Sequence, residues 1–340
     1  MVLKELCALR GPSGNEHAVR DYIIEKATPL ADSVTVDRMG NVIAFKKGTD
    51  PDGRHVLLDA HMDEVGMIVQ GINDNGLISY LTVGGIDPRV VVSKRVRVGE
   101  DAVPGVIGAK AIHLQSVEEY HSVLSHDQLY IDIGAKNRDE AAGKVKPGDY
   151  VTFDSDWVEF GDMMVKSRAL DDRVGCMVLL SLLEGEYPCD ITCAFTVQEE
   201  VGLRGAHCAA GHIHPDCALI LEGTTANDLG DVPEHLRVCS PGKGVAISFM
   251  DRASIGHKDM GRAVRDLATE KGIPWQFKSY TSGGNDGGAV QRETFGVPVT
   301  VLSVPCRYIH SASSVCSFRD IDAMYQLAEA FLLEQKSMDF

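Results

Sequence analysis

Apolar, β-favouring runs that stop at a histidine or a carboxylate recur through this chain, and segments with helical spacing separate them. "HVLLDAHMD", "DITCAFTVQ" and "CALILEG" are such strands, and "PVTVLSV" and "GVAISF" are further ones. "DDRVGCMVLLSLLEG" and "HKDMGRAVRDLATEKG" are helical segments between them. Alternation of this kind predicts an α/β fold. A closing helix over "DIDAMYQLAEAFLLEQ" puts Ile321, Met324, Tyr325, Ala328, Phe331 and Leu332 on one face. Near the start, "NEHAVRDYIIEKATPL" sets Val19, Tyr22, Ile23 and Ala27 at helical spacing, with Ser13 or Asn15 as the cap.

The alternation is interrupted from about Gly66 to Trp157. There, short β-favouring pieces ("GMIVQGI", "LISYLTVGG", "RVVVSKRVRVG", "DYVTF") are separated by "NDNG", "DAVPG" and "KPGD" turns, the signature of a small β-barrel or sandwich. The expected architecture is one discontinuous α/β domain, residues 1–65 and 158–340, whose mixed sheet is flanked by helices. A small β-barrel domain, residues 66–157, is inserted in it.

Composition narrows the function. The chain has 340 residues with 49 acidic and 33 basic side chains, a net charge of −16. That sign argues against nucleic acid or an anionic membrane as the main partner. No apolar run approaches the roughly 18–20 residues that span a bilayer, and "MVLKELCALRGPSG" lacks the apolar stretch and cleavage site of a signal peptide. Nine scattered cysteines do not form a disulfide framework. Cys189 and Cys193 fall in a predicted strand and read as buried apolar thiols rather than metal ligands. A cytoplasmic protein is expected.

Five places put a histidine or carboxylate just past an apolar strand or at a helix start: His61 and Asp63, Asp171 and Asp172, Glu199 and Glu200, Glu222, and His310. Sites in open α/β sheets are built at the carboxyl ends of strands. Singly, each has an ordinary reading: a core histidine, a helix N-terminal acid favoured by the dipole, a solvated strand end. Together, two histidines and several carboxylates suit two divalent cations, since zinc accepts imidazole nitrogen and carboxylate oxygen.

The ordered set "AHMDEVG", "ALDDR", "QEEVGLRGA", "LEG" and "YIHS", with "GPSGNE" near the start, resembles the tetrahedral aminopeptidase family over essentially the whole chain. These are co-catalytic metallopeptidases, the cobalt-activated glutamyl and deblocking aminopeptidases, some of which carry an endoglucanase label. The resemblance implies that His61 and Glu222 bind one metal, that His310 and Glu200 bind the other, and that Asp171 bridges both while Asp172 supports the adjacent chain. It further implies Glu199 as general base, with the metal-bridging water as nucleophile, and Asp63 as the residue orienting His61. Where many members have aspartate, this chain has Glu222. Two zinc or cobalt ions per subunit, with manganese as a further candidate, are the implied cofactors. Short peptides are the implied substrates, and a dodecamer built from dimers is the implied assembly, with the inserted domain as its oligomerisation surface.

The chemistry asks for such residues independently. Paired metals about 3.5–4 Å apart polarise a carbonyl and activate water, and a carboxylate not bound to metal must carry the proton to the leaving amine. The glycine-rich "TSGGNDGGA" (Thr281 to Ala289) either lines the substrate pocket or is a tight turn capped by Asp286, and no phosphate-loop lysine follows it. His113, His121, His126, His207, His212 and His214 read as surface residues. Two other functions compete. Glycoside hydrolysis leaves the histidines unexplained and has few aromatic side chains, 6%, for sugar stacking. A noncatalytic, metal-stabilised assembly protein gives Glu199 no purpose.

Overall fold

A computed structural model describes every residue except Ser282, within the glycine-rich segment noted above, and Thr294. Helices α1 (Val2–Ala8) and α2 (His17–Ala27) lead into strands β1 (Ser33–Val36), β2 (Val42–Lys46) and β3 (His55–His61). Strands β4 (Gly66–Ile72), β5 (Ile78–Val83), β6 (Arg95–Val98), β7 (Val103–Ala109), β8 (Leu129–Asp132) and β9 (Tyr150–Phe153) follow, with α3 (Val117–His121) and α4 (Arg138–Ala142) in their loops. They close into a barrel in the order β4-β5-β8-β7-β6-β9. After β10 (Val158–Phe160) and β11 (Met164–Ser167), the chain alternates α5 (Leu170–Leu182), β12 (Asp190–Thr196), α6 (Arg204–Ile213), β13 (Cys217–Thr225) and β14 (Val245–Ser248). It ends with α7 (Lys258–Lys271), β15 (Trp275–Lys278), α8 (Gly287–Val290), β16 (Val299–Cys306), β17 (Ser314–Ser317) and α9 (Phe318–Glu334).

The main sheet has eight strands in the order β1-β2-β12-β3-β13-β16-β14-β15, and β10-β11-β17 form a separate three-stranded sheet. Its centre, β12-β3-β13-β16, is parallel. Successive side chains on a strand face opposite sides, and both sides are packed. Leu58, Leu219, Leu221, Leu302 and Val304 join a core with residues of α1, α2, α5, α7 and α9. Leu57, Ala218, Ile220, Val299 and Val301 face the other way, onto residues of α6 and α8. The expected α/β class with a small barrel is therefore the observed one.

Several local expectations fail for identifiable reasons. Only the start of "DAVPG" turns: Asp101 and Ala102 lie in a turn, with Ala102 N–H donating to the Gly99 carbonyl, whereas Val103 and Pro104 lie inside β7, where Pro104 is register partner of Arg97. "RVVV" does not extend as a strand, because Pro88–Val90 form a single 3₁₀ turn that starts from Asp87. Neither Ser13 nor Asn15 caps α2; Glu16 occupies that position without a side-chain cap bond. His126 is half-buried rather than on the surface, lying 3.1 Å from the Tyr80 hydroxyl and 2.8 Å from the Ile86 carbonyl.

Ser13 is used elsewhere, in a strap formed by Leu9–Glu16 across the end of β3. Ser13 N–H donates to the Glu64 carbonyl and Glu64 N–H to the Gly11 carbonyl, while Gly11 N–H donates to the Glu64 carboxylate at 3.1 Å. That carboxylate is 3% exposed and pairs with the Arg168 guanidinium, itself 6% exposed. Arg173, fully buried, donates to the Met62 carbonyl at 2.9 Å and to the Leu9 carbonyl at 3.2 Å. The turn that follows His61 is thus fastened to both the strap and the start of α5. Removing one partner of a buried ion pair costs about 3–5 kcal/mol, because the remaining charge stays uncompensated. Glu64→Gln should lower unfolding stability in urea by that order, whereas a change below about 1 kcal/mol would mean that water already solvates Arg168.

Candidate metal centre

Strand periodicity determines the first half of the site. Asp59 and His61 lie on the β3 face that carries Leu57, and Glu222 lies on the matching β13 face, two residues past Ile220, the register partner of Asp59. His61 and Glu222 therefore stand side by side at the carboxyl edge of the sheet. His61 Nε2 lies 3.8 Å from Glu222 Oε2 and 3.2 Å from Asp171 Oδ1. The second half comes from loops. His310 Nε2 lies 3.5 Å from Asp171 Oδ2 and 3.2 Å from Glu200 Oε2. A tetrahedral ion with bonds of about 2.0–2.1 Å holds its ligands roughly 3.3 Å apart, and the four imidazole–carboxylate distances here run from 3.2 to 3.8 Å.

The free atoms fit this reading. His61 Nδ1 lies 3.1 Å from the Asp63 carbonyl, and His310 Nδ1 lies 2.9 Å from the Gly85 carbonyl. In the neutral form that a cation requires, each Nδ1 keeps the proton, assigned from these partners, and Nε2 is left as a lone pair. Glu200 Oε1 and Glu222 Oε1 are buried without hydrogen-bond partners. Asp172 is also close to His61 and Glu222, but its two oxygens accept from the amides of Gly175 at 3.1 Å and His61 at 3.3 Å. It is committed to the backbone in a way that Asp171 is not. The residues present suit a divalent cation.

Asp63 anchors the glutamate loop. Its carboxylate accepts from the Ser13 hydroxyl at 2.6 Å, the Glu199 amide at 3.0 Å and the Glu200 amide at 3.2 Å. Glu16 accepts the preceding amide, Gln198, at 3.2 Å. Strand β12 has already ended at Thr196, so neither glutamate is constrained to the alternation of a strand. Ala169, Gln198, Leu203, Tyr308 and His310 all have φ between 55° and 58°. Left-handed backbone is costly for such residues and gathers where a structure must aim functional groups. The Glu199 carboxylate lines a cavity of about 530 Å³ together with His61, Asp171, Glu222 and His310.

Charge balance follows from the packing. Burial opposes the charged histidines, yet Asp171 and Asp63 hold His61 well above its ordinary range, and Glu200 and Asp171 raise His310 to about 9. Burial also opposes the Asp171 and Asp63 carboxylates. The imidazoles of His310 and His61 nevertheless keep Asp171 below the usual range, and His61, Ser13 and the Glu199 amide do so for Asp63. Burial raises Glu199 and Glu222 well above that range, with only partial relief from His61, and pushes Glu200 up to about 7.

Comparison with known proteins now bears on this geometry. The model of the M42 glutamyl aminopeptidase family matches residues 40–327. The chain belongs to this family. It is 31% identical over 350 residues to the lysyl aminopeptidase of Pyrococcus furiosus, a match covering 100% of this chain and 98% of that one. An aminopeptidase from the archaeon Desulfurococcus kamchatkensis superimposes with a TM-score of 0.93 at 34% identity, over 98% of this chain and 93% of that one. The TET1 peptidase of Pyrococcus horikoshii, which can assemble into a tetrahedron or a large octahedral shell, gives a TM-score of 0.85 at 35% identity and 98% coverage of both chains. As an M42 aminopeptidase, the protein is a peptide hydrolase.

The structure adds to this M42 site one residue that the sequence patterns did not single out, and decides between the readings of another. Asp59 is fully buried two residues before His61, and neither oxygen has a hydrogen-bond donor. Burial and the adjacent Asp286 raise it far above the usual range, so it keeps its proton. An acid inside an otherwise apolar strand was the available signal. Asp286 makes no cap bond to α8; it is buried and accepts from the Thr196 hydroxyl at 2.6 Å. Gly283, Gly284 and Asn285 of the glycine-rich segment line the cavity, whereas His113, His121, His207, His212 and His214 are exposed, as expected. Because His310, at about 9, is protonated at pH 7 and coordination needs neutral imidazole, zinc binding at pH 7 should release at least one proton. Calorimetry in buffers of different ionisation enthalpy measures this, and the release should shrink as pH rises through about 9.

Proposed function

We propose that this M42 enzyme is a two-metal aminopeptidase that removes N-terminal residues from short peptides. His61, Asp171 and Glu222 would hold one divalent cation, and His310, Asp171 and Glu200 the other. Two such ions, zinc or cobalt with manganese as a further candidate, would polarise the scissile carbonyl and lower the pKa of the attacking water. Glu199 takes the proton from that water and passes it to the leaving amine. Asp63 accepts the amides of Glu199 and Glu200, and so positions the base relative to its neighbour. The single observation that carries this reading is the division of Asp171: one oxygen faces His61 and the other faces His310.

Separate substitutions test the two glutamates. Glu199→Gln should keep its metal content while turnover falls by about 10²–10⁴, the usual share of a general base. Glu200→Gln should lose metal affinity instead. Aminoacyl-nitroanilides measured with metal-reconstituted enzyme give the rates, and N-acetylated substrates should resist cleavage. Full turnover by Glu199→Gln, or equal cleavage of blocked and free substrates, would defeat the proposal.

The inserted segment 66–157 is proposed as the assembly surface, with a dodecamer built from dimers as the oligomer. Its α3 region leaves Ile112, Leu114, Val117, Tyr120 and Val123 between 59% and 74% exposed, an apolar cluster that suits contact with another copy. A related structure, PhTET1-12s, is a dodecamer and supports the same state, while the TET1 relative can also assemble into a large octahedral shell. No helix among the described residues is long and apolar enough to cross a membrane. The free cysteines, mostly buried, suit a reducing compartment, and a cytoplasmic location is proposed. Analytical ultracentrifugation should give the mass of twelve chains, and Val117→Asp with Val123→Asp should reduce it to smaller species.

A further inference from the structure

Strand β12 ends at Thr196, so the backbone amides that follow it lie beyond the sheet. Buried amides still need acceptors, and here four in succession find them on side chains that precede β4 in the chain. Val197 N–H donates to Asn41 Oδ1 at 2.9 Å and Gln198 N–H to Glu16 Oε1 at 3.2 Å. Glu199 and Glu200 donate to the two Asp63 oxygens at 3.0 and 3.2 Å. Asn41 and Asp63 are fully buried, and Glu16 is 6% exposed. The carbonyls of Val197, Gln198 and Glu199 face the other way, accepting from the amides of Gly205, Arg204 and Leu203.

The acceptors are themselves fixed. Asn41 Nδ2 donates to the Asp37 carboxylate at 2.6 Å and to the Gly205 carbonyl at 2.9 Å. Only a glycine allows that approach, because a Cβ on Gly205 would stand 2.4 Å from Asn41 Oδ1. Glu16 Oε1 also accepts from the Gly14 amide at 2.7 Å. Gly14 has φ 88° in a turn that Asn15 N–H closes on the Pro12 carbonyl at 2.8 Å, a backbone that glycine adopts without strain. "GPSGNE" thereby delivers Ser13 to Asp63 and Glu16 to the glutamate loop.

Among the described residues no side chain donates to the Glu199 carboxylate, so its direction follows from its backbone. Gln198, immediately before it, has φ 57°, a conformation that persists only where the surroundings over-determine it. Asp63 serves the amide of Glu200 and lies against His61 as well, so it acts on the metal ligands and the base together. Glu16 reaches only the amide that precedes the base. We infer that Glu16 is a positioning residue for Glu199, which it aims through the Gln198 amide while taking no part in holding metal. The inference rests on the reading of Glu199 as general base. A misplacement of about 1 Å can cost about 10² in rate, so the loss of this acceptor falls on turnover and spares substrate affinity.

The test compares metal-loaded variants on the aminoacyl-nitroanilide that wild type cleaves fastest, with metal content and thermal unfolding measured alongside. Glu16→Gln keeps an acceptor of the same reach and should retain kcat within about threefold. Glu16→Asp keeps the charge but withdraws the oxygen by one methylene, and Glu16→Met removes the acceptor altogether. Both should lower kcat by about ten- to a hundredfold, with KM within about twofold and metal content unchanged. In a Glu199→Gln background the base is already gone, so adding Glu16→Met should change kcat by less than about twofold. If Glu16→Met does not fold, the Gln and Asp variants carry the same comparison. Unchanged kcat in Glu16→Asp and Glu16→Met would overturn the positioning role. Equal losses in Gln and Asp would assign the effect to charge, a full further loss on top of Glu199→Gln would assign it to general damage, and loss of metal would assign it to Glu200. Each of these overturns the inference alone. Full turnover by Glu199→Gln would overturn both the inference and the general-base reading.

Discussion

Enclosing several carboxylates within a few ångströms of one another is the constraint on which the rest of this structure depends. Ionised groups out of water are costly unless paired, and Asp63, Asp171, Glu199, Glu200 and Glu222 crowd around the imidazoles of His61 and His310. Asp63 and Asp171 stay ionised because donors point at them. Glu199 and Glu222 have no comparable donors and are driven towards their protonated forms. Without cations the cluster is electrostatically frustrated, and that frustration is the thermodynamic basis for binding them.

Holding such a cluster requires parts from distant regions of the chain. The parallel sheet aligns His61 and Glu222 on one face. The Leu9–Glu16 strap pins the chain after β3 and receives support from Arg168 and Arg173. Next to the barrel strand β5, Gly85 fixes the His310 ring through its carbonyl. The barrel is therefore part of the site as well as an appendage, since the second imidazole loses its orientation if this loop moves.

The candidate ligands were legible because their signal is local. An apolar strand that ends on a histidine or acid can be read from consecutive residues, and those positions converge wherever the strands are parallel. The same local view misjudged residues whose roles depend on remote partners. Ser13 looks like a helix cap but donates to Asp63, fifty positions away. Asp286 looks like a cap but is buried against Thr196. Pro104 looks like a turn residue but sits within a closed barrel.

By itself, the sequence determined the α/β class, the inserted β-rich segment and the donor types of the site, since periodicity and residue chemistry are properties of neighbouring positions. Only the tertiary structure decided that Asp171 faces both imidazoles while Asp172 serves the backbone, although the two are adjacent and identical in type. It likewise decided that Glu16, Asn41 and Asp63 meet the amides of a loop far from them in the chain. The physical reason is that direction and proximity come from sheet register and loop packing, and both are settled only when remote segments meet.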